Sequence, residues 1–175
     1  MKKTLLMAVV LVLFAVSSVH AADMKVGIVD LMKVLNESDS GKKAKADLET
    51  LIKSKQSVLD EKGKEIEKLK ADLEKQASVL SAEAKKSKEE DLEKSLREYQ
   101  RLVSDSQNEV KKKESELTAD ILKEIRIIVD KMGEEGAYTI VLENADGLVL
   151  YSKKDISLTD VVIKKYNESK AKSKK

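Results

Sequence analysis

The strongest constraint in this sequence is a repeat. Ile52, Leu59, Ile66, Leu73 and Leu80 recur at every seventh position, and the 175 residues contain no proline. An apolar heptad with charge on the remaining positions predicts a helix that packs along one seam. Its companion positions are Leu48, Lys55, Lys62, Leu69 and Gln76. Half of that second seam is polar, so the apolar stripe is thin. From Lys42 to about Leu80 only Gly63 interrupts the helix formers, at about 1 kcal/mol against alanine. A second run, from near Ser87 to about Met132, places Leu96, Val103, Val110 and Leu117 at the same spacing, with Leu92 and Tyr99 on companion positions. Beyond Leu117 the stripe widens through Ile121, Leu122, Ile125, Ile128, Val129 and Met132, which predicts that this end joins a real core. Between the runs lie turn and capping residues, with Ser81 the expected N-cap of the second helix. Two long helices joined by a short turn pack antiparallel. About 40 residues at 1.5 Å each make an arm about 60 Å long. Gly133 and Gly136 stand where the second helix is expected to end.

The flanks read differently. Met24 to Asp30 is a short run of β-branched residues ending at an acidic turn, a strand signal. Leu31 to Leu35 reads as a short helix, and Asn36-Glu37-Ser38-Asp39-Ser40-Gly41 as a breaker and cap cluster. Tyr138 to Leu142 and Leu148 to Tyr151 read as strands, and the Asp146-Gly147 pair between them predicts a β-hairpin. Ser157-Leu158-Thr159-Asp160 caps a last helix bearing Val161, Val162, Ile163 and Tyr166. The expected fold is α+β: a long antiparallel helical hairpin, a coiled-coil arm over residues 42–132, inserted in a small β-rich body. That body is discontinuous, residues 22–41 and 133–167, and residues 168–175 form a basic disordered tail. Its three short strands are too little for a robust separate core, and oligomerisation through the body is the expected remedy.

Residues 1–21 read as a signal peptide cleaved after Ala21: Lys2 and Lys3, an apolar run from Thr4 to Val16, then small residues. The run is too short for a spanning helix of about 20 residues. Removing it takes the 34 basic residues to 32 against 32 acidic ones, so the mature chain is neutral. The only histidine, His20, and the only phenylalanine, Phe14, leave with it, and there is no cysteine. The usual acid–base and metal-ligand side chains are therefore missing. No catalytic residue, metal or cofactor is expected, and a neutral chain gives no field for nucleic acid. Export implies a compartment without ATP.

Charges along the runs pair at i,i+4, as Glu49/Lys53, Asp60/Lys64, Glu90/Lys94, Glu93/Arg97 and Glu109/Lys113, each worth about 0.2–0.5 kcal/mol. That marks a solvated helix face. Gly41-Lys42-Lys43 is no phosphate loop, since Asn36 stands at the upstream glycine and Lys43 replaces the hydroxyl residue. Leu51, Val58, Val79 and Leu102 lie off the seam. They either broaden the hairpin contact or form apolar patches for an unfolded partner. The lysines from Lys164 to Lys175 suggest weak contact with an anionic membrane surface, against the plainer reading of a solubilising tail.

With these residues in place, the chain resembles the Skp (OmpH-like) family of periplasmic chaperones. The resemblance rests on Gly27-Ile28-Val29-Asp30, Val34-Leu35-Asn36-Glu37-Ser38 and Gly41-Lys42-Lys43-Ala44 at one end. At the other it rests on Tyr138 to Leu142, Val149-Leu150-Tyr151, Leu158-Thr159-Asp160, Val162-Ile163-Lys164 and Asn167. The resemblance implies a homotrimer whose three arms enclose a cavity and hold unfolded outer-membrane β-barrel proteins without ATP. It implies that Val26, Ile28, Val29, Ile140, Val141, Leu142, Val149, Leu150 and Tyr151 build the trimer body. One departure is that residues 81–95 carry five acids against four lysines, where a positive arm is familiar in the family. The competing reading is an exported coiled-coil spacer or adaptor that docks a folded partner.

Overall fold

The computed structural model describes residues 24–145 and 148–173. The expected signal peptide, the Asp146-Gly147 turn and the last two lysines lie outside the described residues. In order, the elements are β1 (Val26–Val29), α1 (Leu31–Glu37), α2 (Asp39–Gln76), α3 (Ala82–Glu135), β2 (Ile140–Glu143), a 3-10 turn (Lys154–Ile156) and α4 (Thr159–Lys172).

Local chemistry sets most of these boundaries. Asp30 caps α1, its carboxylate accepting from the Lys33 N–H at 2.7 Å. Ser38 caps α2, its hydroxyl accepting from the Gly41 N–H at 3.1 Å. The helix therefore starts at Asp39, and Gly41 lies in its first turn rather than breaking the chain. Glycine is required there, since a Cβ would stand 1.6 Å from the Leu35 carbonyl oxygen. Ser81 caps α3 as expected, accepting from the Ala84 N–H at 3.2 Å, which starts the helix earlier than Ser87.

At the far end of α3, Gly133 is still helical and Gly136 is the C-cap. Tyr138 N–H reaches the Gly133 carbonyl at 2.9 Å and Ala137 N–H the Glu134 carbonyl at 3.1 Å. That is a Schellman arrangement, which calls for a left-handed residue at the position after the cap. Ala137 occupies it, with φ 50°. The glycine sits one residue earlier, where the Tyr138 ring would lie 2.5 Å from any Cβ.

Two ion pairs fix the direction of the arm helices. Lys55 meets Glu109 at 2.6 Å, and further out Lys62 meets Glu98 at 3.8 Å. Residue numbers rise on α2 as they fall on α3, so the arm is antiparallel, as the sequence predicts. At 1.5 Å per residue, α3 is about 80 Å long and α2 under 60 Å; the excess length of α3 enters the body.

The body corrects the sequence reading. β2 pairs in parallel with β1, Val26 opposite Ile140 and Val29 opposite Glu143. Parallel strands need a long crossover, and the whole helical arm supplies it. The expected hairpin is not formed, and Val149, Leu150 and Tyr151 are not in a strand. Ser157, outside both strands, makes a single parallel bridge with Ile28 of β1. The sheet has two strands, so the body is not β-rich. Its core is chiefly helical: Val29, Val34, Ile121, Ile125, Met132, Leu158, Val162 and Tyr166. The widened stripe of α3 thus joins a real core, as expected. The tail expected to be disordered from residue 168 is helical to Lys172, because α4 continues along α3 with Lys170 bonded to Glu124.

Candidate functional site

The chain's largest extended surface is the arm, and its side chains show how weakly it is closed. Along the predicted seam Leu59, Ile66 and Leu73 are only half-buried, while Ile52, Leu69 and Leu96 are exposed. The buried residue of the mid-arm is Ser106, which continues the companion series Leu92 and Tyr99. A small residue there lets the helices approach. Lys55 and Lys62, the two lysines of the α2 seam, are occupied by Glu109 and Glu98 across the interface. Glu109, expected to pair with Lys113 on its own helix, serves the seam instead. Of the five expected i,i+4 pairs, Glu93 with Arg97 is formed. Others run with the base first, as Lys85–Glu89, Lys86–Glu90 and Lys112–Glu116. Such exposed pairs are worth about 0–1 kcal/mol each, so polar contacts do not replace the missing apolar area.

The four off-seam residues divide. Val58 and Val79 remain open, 47% and 80% exposed. Leu51 and Leu102 are half-buried, and Leu51 packs in a crevice with Glu109, Lys112 and Lys113 of α3.

Pattern reading missed the arm's root. There α1, α2 and α3 diverge around a groove of about 600 Å³, floored by Met32, Leu35, Leu48, Ile52, Leu117 and Ile121 and rimmed by Lys45, Glu49 and Glu114. Leu48 and Ile52 are legible as seam residues, but nothing in the heptad shows that Met32 and Leu35 of α1 line a groove with them. The groove has an apolar floor and a rim of both signs.

Below the groove, α4 fastens the arm to the body. Tyr166 is buried, and its hydroxyl donates to Glu124 of α3 at 2.5 Å; Lys170 donates to the other oxygen of Glu124 at 2.8 Å. Burial, then the bond to the carboxylate, pushes the Tyr166 phenol up to about 12. For Glu124, partial burial acts upward, but the hydrogen bonds from Lys170 and Tyr166 and the Lys170 charge outweigh it and hold the carboxyl below its ordinary value. Lys165 likewise bonds Glu135 at 3.0 Å. Two of the lysines considered for a membrane surface are therefore committed to α3.

The nine residues assigned to an oligomerisation body also divide. Ile28 and Val29 are buried, and Val26 and Val141 are half-buried in the β1–β2 pair. Ile140, Leu142, Leu150 and Tyr151 are exposed, the last two at 93% and 81%. Val149 is half-buried in the same irregular stretch. Among the described residues no group of His, Cys, Asp or Glu is placed to hold a metal ion, and no helix is long and apolar enough to cross a membrane.

A sequence profile of the family described as outer membrane protein (OmpH-like) matches residues 25–166. The chain belongs to the OmpH-like family. No curated protein matches it in sequence. Among solved structures, one from Caulobacter crescentus, assigned as an OmpH-like outer membrane chaperone, superposes with a TM-score of 0.79 at 17% identity. The match covers 83% of this chain and 85% of that one. At that identity the likeness speaks to fold: the OmpH-like arrangement of long arm and small body persists although few residues are shared.

Proposed function

We propose that this chain is an ATP-independent periplasmic holdase that binds unfolded outer-membrane β-barrel proteins and keeps them from aggregating in transit. The observation that carries this reading is the arm: two long helices with a half-open seam, projecting from a small body in an OmpH-like chain. A thin seam loses little apolar area when the arm bends or splays, so clients of different size are accommodated cheaply. Strands of a membrane barrel alternate apolar and polar residues. Such a segment suits the groove at the root, apolar side chains on its floor and polar ones at its rim. Val58 and Val79 add single apolar contacts further out, and Leu51 and Leu102 smaller ones. Many weak contacts give retention through multivalency and permit release without nucleotide.

The working form in this proposal is a homotrimer joined through the body. Leu150 and Tyr151 have almost no cover within one chain, and the stretch read as a strand has no partner strand among the described residues. A second copy provides both. Refolding of an unfolded barrel protein with and without the chain tests the reading. The expected result is suppressed aggregation at one oligomer per client; undiminished aggregation at that ratio overturns it. Progressive shortening of the arm separates it from a docking adaptor. A cavity loses capacity gradually, whereas a tip-docking adaptor loses binding with the first deletion.

A further inference from the structure

Two adjacent residues of α4 reach both arm helices. Tyr166 lies in the core, and its hydroxyl donates to Glu124 of α3 at 2.5 Å. Asn167, the next residue, accepts from the Asp39 N–H at the first turn of α2 at 3.0 Å. Lys170, one turn on, closes the other oxygen of Glu124 at 2.8 Å. A single turn of α4 thus holds the starting point of one arm helix and the body end of the other. Elsewhere in the arm the helices are tied by exposed ion pairs and a half-open seam, whereas α4 places side-chain hydrogen bonds on both arm helices, part-buried at Glu124 and exposed at Asp39.

We propose that α4 is a brace that fixes the angle between arm and body, and that Tyr166 and Asn167 are its positioning residues. With the brace intact the arm leaves the body in one direction; with it loosened the arm swings about its root while the core stays folded. Its relevance to capture rests on the holdase reading, since the lean of the arms then sets the width of the space they enclose. The geometry itself does not depend on any client.

The absence of cysteine in the whole chain makes a direct test simple. Cysteines introduced as Ser78→Cys at the arm turn and Lys154→Cys in the body carry spin labels, and labelled chains are diluted into unlabelled ones. Pulsed dipolar spectroscopy then gives the arm-to-body distance distribution without client. Tyr166→Phe and Asn167→Ala are each expected to widen that distribution, and the double variant to widen it at least twofold. Val162→Ala, from the same helix and core but outside the hydrogen bonds, is the control. It is expected to lower thermal stability as much or more while leaving the width near wild type. Unchanged width in the double variant overturns the proposal. So does equal widening in Val162→Ala, which would reduce the two residues to general core stability. Failure of the holdase assay with a narrow wild-type distribution that widens as stated would instead overturn only the client reading.

Discussion

Glycines and their neighbours make the sharpest residue-scale predictions, because similar residues stand in opposite surroundings. Gly63 has nothing within 4 Å of where a Cβ would be, so Gly63→Ala is expected to stabilise the arm by about 1 kcal/mol in urea unfolding. Gly41→Ala is expected to destabilise by about 3 kcal/mol, since the Leu35 carbonyl must move. Neither outcome is readable from local pattern, which makes Gly63 a weak helix former in the heptad and Gly41 part of a breaker cluster. Ala137 is the converse case, a Cβ in the left-handed region; Ala137→Gly is expected to gain about 1 kcal/mol. The brace also has a pH signature. Tyr166 has a folded pKa raised from 10.0 to about 12, so its contribution is full below pH 10 and is lost as pH rises toward 12. Glu124 has a lowered folded pKa, so its contribution is present above the ordinary carboxyl value and is lost as pH falls through the lowered one. The stability gap between wild type and Tyr166→Phe, measured in denaturant across pH, is therefore expected to narrow at both extremes.

At the scale of elements, the question is what holds α2 to α3. The heptad places the seam correctly but overstates its closure, because spacing reports which residues face a neighbour and not how near that neighbour comes. Lys55 and Lys62 on the seam, with Ser106 opposite, already mark it as polar. Their ion pairs are partly exposed, so a double-mutant cycle of Lys55→Ala and Glu109→Ala is expected to give a coupling below about 1 kcal/mol that fades with added salt. A larger, salt-insensitive coupling would show the seam to be drier than its exposures indicate. The strand elements behaved differently from the helices. Asp-Gly between apolar runs is a strong local hairpin signal, yet β2 pairs with β1, more than a hundred positions away in the chain, a pairing that buries Val29 and packs half-buried Val141 against the helical core.

For the whole molecule, the proposed homotrimer rests on the apolar residues of the body that one chain leaves uncovered. In native mass spectrometry the wild type is expected to be a trimer, and replacing Leu150 and Tyr151 together by serine to give monomers with the helical content unchanged. An oligomer that survives the change would place the interface elsewhere. The division between what was legible and what was not follows from the range of the forces. The sequence by itself determined the antiparallel arm, the caps at Ser81 and in the Asn36–Ser40 cluster, the joining of α3 to a core and the poverty of reactive side chains. Each of these depends on spacing within a few turns or on composition alone. Tertiary structure decided the parallel β1–β2 pairing, the helical character of the body, the groove beside α1, and the clamp of Tyr166 and Asn167 on both arm helices. Those depend on contacts between residues far apart in the chain, where the free energy of burying a side chain overrides the local preference of the segment that carries it.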